Sequence, residues 1–358
     1  MRPREVRRVR RAVHGVRREG AVMTPYAVVI PTLVRDTLAD CLAALAAARG
    51  PRPERIVLVD DRPAASADPD PAPLEHALSV LGDLRARTIV LPGEARGPAA
   101  ARNTGLRAVT EPWVVFVDDD VQVGPHWCAQ LQRDLDEATP DTAGVPGVIT
   151  VPLPGGRRPT DWERGTAGLA RARWITADMA YRTDVLRRAG GFDERFPRAH
   201  REDADLALRL LDAGWRIRRG RRTTLHPVRA ASRWASVRTQ RGHADDALMR
   251  RLHGADWWDK AVSPRGRIRR HAAITAAGAA ACALAATGHR RAAAACAAGW
   301  AAGTAEFARA RIAPGPRTPE EVATVLATSV VIPPAATWHR LAGAWRHRHA
   351  PAWREVAR

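Results

Sequence analysis

Lysine is nearly absent from this chain of 358 residues. Lys260 is the only one, although lysine and arginine together number 57 and the formal net charge is +19. A basic balance ordinarily indicates nucleic acid, an anionic membrane surface or a phosphorylated substrate as the partner. Here the arginines accompany abundant alanine, glycine and proline, which indicates compositional bias as much as selection for charge. Signatures of zinc fingers, homeodomains and RNA-recognition domains are also absent, so nucleic acid is not an expected partner.

Paired cysteines and a secretory signal are missing as well. The four cysteines are widely spaced in mostly apolar or alanine-rich surroundings and form no CxxC pair: Cys41, Cys128, Cys282 and Cys296. We expect small buried side chains in a reducing compartment rather than disulfides. The basic N-terminal arm, residues 1–23, is followed by an apolar stretch that Pro25 and Pro31 interrupt, which argues against a secretory signal. A cytoplasmic protein is the expectation.

Long, strongly apolar runs are also lacking. A bilayer core requires about 20 mainly apolar residues, whereas residues 272–288 and 292–305 are uncharged but dominated by alanine. A third uncharged run, 322–338, contains Pro333 and Pro334. Three interpretations stay open for this region: a membrane-embedded hairpin, an interfacial amphipathic surface and a soluble helical subdomain. The first two would attach the protein to the inner face of the plasma membrane.

The first half of the chain alternates short apolar runs with helical stretches, which predicts an α/β fold with a mostly parallel sheet flanked by helices. The predicted strands are Tyr26 to Ile30, Ile56 to Val59, Thr88 to Leu91, Trp113 to Val117 and Val148 to Val151. Helices are predicted over Thr37 to Arg49, Val185 to Ala189 and Glu202 to Ala213. We predict one domain over 24–230, a helical linker over 231–270 and an alanine-rich helical region over 271–358.

Two acidic clusters directly follow predicted strands. Asp60 and Asp61 come after the second strand, and Asp118, Asp119 and Asp120 come after the fourth. Because ligands of an open parallel sheet bind outside the carboxyl ends of its strands, both clusters belong to one functional edge. Adjacent carboxylates repel each other unless a divalent cation shares the site. The alternative for each cluster is a turn or a helix cap.

Small residues lie between the two acidic clusters, at 97–105, and include Arg102 and Asn103. Small side chains let a helix approach a nucleotide closely, and the Arg102 guanidinium can bind a phosphate or an aspartate through two hydrogen bonds. An ordinary alanine-rich packed helix would give the same pattern.

The order of these motifs resembles that of the family 2 inverting glycosyltransferases with the GT-A fold. The matching segments lie between residues 24 and 230 and are Val28 to Thr32, Val59 to Asp61, Ala101 to Gly105, Phe116 to Asp120, Asp178 to Arg182, Gly190 to Glu194 and Glu202 to Leu210. The resemblance implies transfer of a sugar from a nucleotide-diphosphate sugar, with UDP as the expected nucleotide. It also implies a divalent cation, Mn²⁺ or Mg²⁺, as cofactor.

The resemblance assigns roles to individual residues on the donor side. The residues that would bind the nucleotide-sugar are Pro31, Thr32, Asp60, Asp61, Arg102, Asn103, Asp118 and Asp119. Asp118 and Asp120 match the family's DxD pair, with Asp120 on the metal and Asp118 on ribose or metal-bound water. His226 would be a third ligand, with Arg221 and Arg222 as alternatives for the diphosphate.

On the acceptor side, Asp203 would remove the acceptor hydroxyl proton during inversion, and Glu202 would position hydroxyl groups. Capping of the following helix is the structural alternative for this acidic pair. Asp178, Met179 and Arg209 also fall in the acceptor-side motifs. The expected acceptor is a glycan or a lipid-linked sugar of the cell envelope.

The sequence departs from the family pattern at two places. Arg62 and Pro63 stand where glycine and serine are common, and Asp178 stands where an asparagine or similar residue is common. The main enzyme alternative is a nucleotidyltransferase, which would carry a glycine-rich phosphate loop after the first strand. Residues 30–35 contain no glycine.

Overall fold

The computed structural model describes residues 23–63 and 70–353. The basic arm predicted at 1–23 lies outside them except for Met23. Ten strands and thirteen α-helices are assigned within these ranges. The strands are β1 (Tyr26–Thr32), β2 (Arg55–Asp60), β3 (Thr88–Pro92), β4 (Trp113–Val117), β5 (Gln122–Val123), β6 (Thr142–Pro146), β7 (Val148–Thr150), β8 (Asp178–Arg182), β9 (Arg216–Ile217) and β10 (Thr223–Leu225).

The helices alternate with these strands in the first part of the chain and follow one another without strands after β10. They are α1 (Thr37–Ala47), α2 (Ala72–Ser79), α3 (Pro98–Ala108), α4 (Trp127–Asp136), α5 (Asp161–Ala167), α6 (Thr183–Arg188), α7 (Glu202–Asp212), α8 (Ala235–Arg238), α9 (His243–His253), α10 (Trp257–Lys260), α11 (Ile268–Ala286), α12 (Arg290–Ile312) and α13 (Pro319–Arg346). Short 3₁₀ turns occupy Gly82–Arg87, Gly168–Arg171 and Thr239–Gly242.

The central sheet has seven strands in the order β3-β2-β1-β4-β8-β6-β9. β1 to β4 pair in parallel, whereas β8 runs antiparallel to both of its neighbours. A small sheet of β5, β10 and β7 lies beside it. The α/β fold with a mostly parallel sheet and a C-terminal helical region is therefore confirmed. The segment 148–151, predicted as part of the main run of strands, belongs instead to the small sheet.

Both faces of the central strands are buried, because β-branched side chains alternate between two helical layers. Val28 and Ile30 of β1 pack in one hydrophobic cluster with α1 and α4. Val29 packs in the other cluster with α3 and α7. The acidic clusters lie outside these buried layers, in the loops that follow β2 and β4.

The region predicted as a helical linker also contributes to this second cluster. Leu248, Met249 and Leu252 of α9 and Trp257 of α10 are buried there beside α7. The last three helices, α11 to α13, pack against one another, and α13 packs along α9. The chain is thus continuous in packing from the sheet to the last helix.

Candidate active site

The carboxyl ends of three parallel strands and the start of an antiparallel one meet at one edge of the sheet. Thr32 at the end of β1 pairs in register with Asp60 at the end of β2. Val117 at the end of β4 pairs with Asp178 at the start of β8. The two acidic clusters predicted from the sequence therefore lie at the same edge.

Asp60 is held by an arginine two residues further along the chain. The Arg62 Nε donates to Asp60 Oδ1 at 2.9 Å, and the second guanidinium nitrogen lies 2.6 Å from Asp60 Oδ2. The hydrogen bond that Arg62 donates to Asp60 raises the pKa of Arg62. Arg62, which stands where the family commonly has glycine, therefore forms an ion pair with Asp60. Asp60 is the carboxylate that the resemblance expects to bind the ribose.

Asp61 faces the loop before α3 rather than the open edge. Its carboxylate is buried and accepts hydrogen bonds from the backbone amides of Ala95, at 2.8 Å, and Gly97, at 3.0 Å. Burial raises the pKa of Asp61 and these amides partly offset the effect. Gly97 has φ +96°, and a Cβ there would lie 2.3 Å from the Pro197 carbonyl oxygen, so the loop requires glycine.

The three aspartates after β4 divide into two sets. Asp119 is buried and accepts from Thr32 Oγ1 at 2.7 Å, from the Leu33 amide at 3.3 Å and from Arg35 at 3.2 Å, so it orders the turn after β1. Asp118 and Asp120 instead pair with arginine or histidine side chains elsewhere at the edge. Pro31 belongs to β1 itself and is partly exposed.

Asp120 lies between two basic side chains. His226 Nε2 is 3.8 Å from Asp120 Oδ1, and Arg229 Nε is 3.2 Å from Oδ2. Burial raises the pKa of Asp120, and repulsion from Asp118 adds to this, while His226 and Arg229 act in the opposite direction. Arg229 was missed by the sequence analysis, although its place three residues after His226 and on the same loop offered a signal.

One buried guanidinium joins the donor-side and acceptor-side carboxylates. One terminal nitrogen of Arg102 donates to Asp118 Oδ1 at 2.7 Å and the other to Glu202 Oε1 at 2.9 Å. Arg102 is 1% exposed. Of the two partners predicted for Arg102, a phosphate or an aspartate, the structure gives it carboxylates.

Glu202 and Asp203 begin α7, where the helix dipole favours negative charge. Glu202 is buried, and its Oε2 has no hydrogen-bond partner. Burial, followed by the charge of Asp203, raises the pKa of Glu202 to about 8. Burial also raises the pKa of Asp203, which accepts a hydrogen bond from the Ala204 amide at 2.7 Å and is partly exposed. The pair combines a buried acid with a more accessible one.

Arg201 precedes this pair with a left-handed backbone, φ +79°. Such a conformation is unfavourable for a residue with a side chain unless neighbouring contacts hold it. Here Arg201 Nε donates to Asp246 of α9 at 2.9 Å, and the guanidinium stacks over Trp257 at 4.9 Å. The start of α7 is therefore fastened to α9 and α10.

Five further residues named in the sequence analysis make their hydrogen bonds or contacts inside the fold. Asp178 is fully buried and accepts from Trp127 Nε1 at 2.8 Å, Arg222 Nε at 2.7 Å and Thr224 Oγ1 at 2.6 Å. Met179 is a core residue. The Arg222 guanidinium is 0% exposed and forms an ion pair with Asp178, the residue that departs from the family pattern. Arg222 is therefore not available to a diphosphate.

Asn103 and Arg209 are likewise directed inward. Asn103 bonds the backbone of Phe192 through both ends of its amide, at 2.9 Å each. Arg209 donates to Asp205 at 2.9 Å and to the carbonyl oxygens of Ala189 and Gly191 at 2.6 and 2.7 Å. Both side chains order the Gly190–Gly191 turn. Arg221 bonds Glu137 at the surface.

The metal ligands expected from the sequence are Asp118, Asp120 and His226. Within residues 23–63 and 70–353, no group of three or more His, Cys, Asp or Glu side chains is already drawn together around a metal position. Two carboxylates and one imidazole nevertheless suit Mn²⁺ and Mg²⁺ chemically. The repulsion between Asp118 and Asp120 is of the kind that a bound cation relieves.

A family model described as Glycosyl transferase family 2 matches residues 27–194. These residues are therefore similar to the family 2 glycosyltransferases. The match begins in β1 and ends after the Gly190–Gly191 turn, so it contains both acidic clusters and Arg102. It favours a glycosyltransferase over the nucleotidyltransferase and the nucleic-acid-binding protein that the sequence left as alternatives. The fold of this glycosyltransferase domain is GT-A-like, with a helical region after it.

Curated proteins and solved structures related to this chain are glycosyltransferases too. The chain is 30% identical over 178 residues to the pre-mycofactocin glycosyltransferase of two Mycobacterium tuberculosis strains, CDC 1551 and H37Rv, covering 46% of this chain. The matched part is 35% of the relatives' length, about a third. Structurally, the mannosyltransferase PcManGT of Pyrobaculum calidifontis, in complex with GDP-Man and Mn²⁺, is 17% identical, with 96% of this chain and 94% of that chain covered and a TM-score of 0.49. S. aureus TarS 1-349 in complex with UDP-GlcNAc is 16% identical, with 91% and 92% covered and a TM-score of 0.44.

Proposed function

We propose that this protein transfers a glycosyl group from a nucleotide-diphosphate sugar to an acceptor hydroxyl with inversion. The observation that carries the proposal is the Arg102 bridge between Asp118 and Glu202. The two terminal nitrogens of this guanidinium hold Asp118, the proposed donor-side carboxylate, and Glu202 of the acidic pair that begins α7. This supports the proposal, because the acidic pair is then held near a sugar whose diphosphate would be bound beside Asp118.

Asp203 is the proposed base. Its raised pKa makes it a stronger proton acceptor than an ordinary aspartate, and its partial exposure lets an acceptor hydroxyl reach it. Glu202, whose pKa is raised to about 8, is largely protonated near neutral pH. Its unpaired Oε2 can then donate a hydrogen bond to a sugar hydroxyl and orient it.

On the donor side, Asp118, Asp120 and His226 would hold a divalent cation, Mn²⁺ or Mg²⁺. When bound, that cation would neutralise the charge that develops on the diphosphate leaving group. Asp60 would accept hydrogen bonds from the ribose once Arg62 moves aside, and the main chain at Pro31 and Thr32 would border the base. Asp61, Asn103, Asp119, Asp178, Met179 and Arg209 would support these groups from within the fold.

The proposed donor is a UDP-sugar and the proposed acceptor a glycan or lipid-linked sugar of the cell envelope. The basic helical region after the glycosyltransferase domain supports a location at the inner face of the plasma membrane. A bilayer is where lipid-linked acceptors are found.

A donor screen tests the proposal. Purified protein is incubated with UDP- and GDP-sugars in the presence of Mn²⁺, Mg²⁺ or a chelator, and nucleoside diphosphate release is measured. We expect metal-dependent release from one donor and, with an acceptor, a product of inverted anomeric configuration by NMR. Release of pyrophosphate from a nucleoside triphosphate instead would indicate a nucleotidyltransferase and contradict the proposal.

Asp203→Asn tests the base separately. We expect transfer to fall about 100- to 10,000-fold, in the range of general-base catalysis, while nucleotide affinity stays unchanged. Asp212→Asn, an exposed carboxylate at the other end of α7, is the matched control and should transfer at the wild-type rate. Wild-type transfer in Asp203→Asn would remove Asp203 from this role.

A further inference from the structure

α13 has an exposed apolar stripe on one side and a buried face on the other. The buried residues recur at helical spacing: Val325, Thr328, Ser329, Ile332, Pro333, Ala336 and Gly343. The exposed residues recur on the opposite side, and we call them the apolar stripe: Leu326, Val330, Pro334, Trp338, Leu341 and Trp345. Trp338, Leu341 and Trp345 are 68%, 63% and 69% exposed. A contiguous exposed apolar surface of this kind marks an interaction site.

By length and composition, α13 is the one helix of the described ranges that could cross a bilayer. Its contacts argue against crossing, because both ends are fastened to the rest of the protein. Near the start, Glu321 Oε1 accepts from the Asp161 amide of α5 at 2.7 Å. Near the end, α13 and α9 approach so closely that a Cβ on Gly343 would lie 2.5 Å from Ala244 Cα.

The middle of α13 is fastened as well. Arg311 of α12 donates to Thr328 Oγ1 at 2.9 Å and to Ser329 Oγ at 2.8 Å, and it forms an ion pair with Asp161 at 2.7 Å. A helix about 42 Å long that is held at both ends and in the middle lies along the protein surface. If α13 crossed a bilayer, the charged groups of α5 and α9 would have to enter the hydrocarbon core.

The charge around the stripe is of one sign. No aspartate or glutamate occurs from 322 to 353, whereas Arg340, Arg346 and Arg348 lie within or just beyond the second half of α13. The Arg348 guanidinium stacks over Trp345 at 4.0 Å. Tryptophan with neighbouring arginine is the combination that favours the boundary between lipid headgroups and acyl chains.

The stripe also continues onto α12. An open apolar cleft between the two helices is lined by Trp300, Ala301 and Ala305 of α12 together with Leu326 and Val330 of the stripe. The exposed apolar surface is therefore broader than one helix. Its width suits a bilayer surface, which contacts whatever protrudes, better than a groove-binding peptide.

We infer that the apolar stripe of α13 rests on an anionic lipid bilayer, with the helix in the plane of the interface and the exposed Arg346 and Arg348 on lipid phosphates. Interfacial helices bind through buried apolar area together with attraction to anionic headgroups. Membrane binding itself does not depend on the proposed function; only its use, to bring the enzyme to a lipid-linked acceptor, rests on that proposal. The inference selects the interfacial arrangement among the three that the sequence left open.

Vesicle flotation of the full-length protein tests this inference. Wild-type protein should float with vesicles of phosphatidylglycerol and phosphatidylcholine, and much less with phosphatidylcholine alone or in high salt. The triple variant Trp338→Ser, Leu341→Ser, Trp345→Ser should lose about 1,000-fold in vesicle partitioning, since each tenfold corresponds to one partly buried large side chain. The control Leu211→Ser, Val262→Ser changes exposed apolar residues elsewhere and should float like wild type.

A second variant separates charge from apolar area. Arg346→Glu, Arg348→Glu should lower binding to anionic vesicles about tenfold or more and leave the weak binding to phosphatidylcholine unchanged. Carbonate at high pH should release wild-type protein from vesicles; retention would indicate a spanning helix and overturn the inference. So would unchanged flotation of the triple variant, or a wild-type dimer that the triple variant converts to a monomer without any vesicle binding.

Failure of this inference is distinguishable from failure of the proposed function. Donor hydrolysis in solution should be equal in wild type and the triple variant, because the stripe lies outside the site. Asp203→Asn should float with vesicles like wild type. A protein that floats but hydrolyses no donor would retain the membrane surface and lose the enzyme assignment.

Discussion

The sheet edge and the outer face of α13 break opposite rules of protein structure. At the edge, charged groups are buried: Arg102, Glu202 and Arg222 are at most 2% exposed. On α13, large apolar groups such as Trp338 and Trp345 are exposed. Each arrangement costs free energy in an isolated soluble protein. Under the two proposals, the buried charge of Arg102 would serve a ligand that binds at the sheet edge, whereas the exposed apolar area of α13 would serve a surface on which the fold rests.

The largest expected effect comes from removing the cation at the sheet edge. Arg102→Met leaves Glu202 and Asp118 without their shared partner and should lower the free energy of unfolding by about 3–5 kcal/mol. Chemical denaturation measures this change. Arg107→Met, on the exposed side of the same helix, should change stability by less than about 0.5 kcal/mol.

A double variant shows whether the cost comes from stranded charge. Arg102→Met combined with Asp118→Asn should recover part of the lost stability, because Asp118 then no longer stands beside the missing guanidinium as an unpaired charge. A double variant that is as unstable as the sum of the single changes would instead attribute the loss to packing.

An intermediate effect is expected in the C-terminal helices at acidic pH. His271 of α11 is buried against Phe307, and its Nδ1 has no hydrogen-bond partner. Burial, with neighbouring cations, lowers the pKa of His271 to about 4 from 6.5. The unfolded state therefore binds a proton more readily than the folded state between pH 6.5 and 4, so stability is complete above pH 6.5 and is lost as the pH falls.

We expect a loss of about 2 kcal/mol between pH 7 and pH 4 that is attributable to His271. Thermal unfolding of wild type and His271→Phe across this range measures it as the difference between the two pH profiles. The exposed His349→Gln is the control and should follow the wild-type profile. Parallel profiles for wild type and His271→Phe would show that this histidine is already protonated or solvated in the folded protein.

The smallest effect concerns the arginine that covers Asp60. Arg62→Ser should increase nucleotide affinity about fivefold, since a partly exposed ion pair worth about 1 kcal/mol no longer competes with the ribose. Titration calorimetry with UDP and Mn²⁺ measures the change. Arg96→Ser, which removes an exposed ion pair with Glu94 outside the site, is the control. Weaker nucleotide binding in Arg62→Ser would mean that Arg62 contacts the nucleotide itself.

Much of the fold was predictable because it depends on local patterns. The apolar runs that form β1, β2 and β4 are buried on both faces, β3 is a partly exposed edge strand, and each predicted run lies inside the observed strand. The acidic clusters were placed correctly at the sheet edge, because the end of a strand fixes where the next residues lie. The resemblance to family 2 glycosyltransferases is confirmed for the domain over residues 27–194.

The partners of individual charges were not predictable, because they depend on tertiary packing. Arg102 meets Asp118 and Glu202, which are 16 and 100 residues away in sequence. Asp178 belongs to one of the motifs that carry the family resemblance, yet Arg222 and Trp127 enclose it completely. Composition alone likewise could not choose among the three arrangements of the C-terminal region, since the argument against a spanning α13 depends on its tertiary contacts with Asp161 and Ala244.

The contacts of Arg201, whose backbone is left-handed, fix the start of α7 relative to the C-terminal helices. Through Asp246 and Trp257, Arg201 ties the start of α7 to α9 and α10, and α9 in turn packs along α13. If α13 lies on a bilayer and Asp203 is the base, Asp203 would stand at one set height above the lipid plane. The length of an acceptor's headgroup would then decide whether its hydroxyl reaches Asp203.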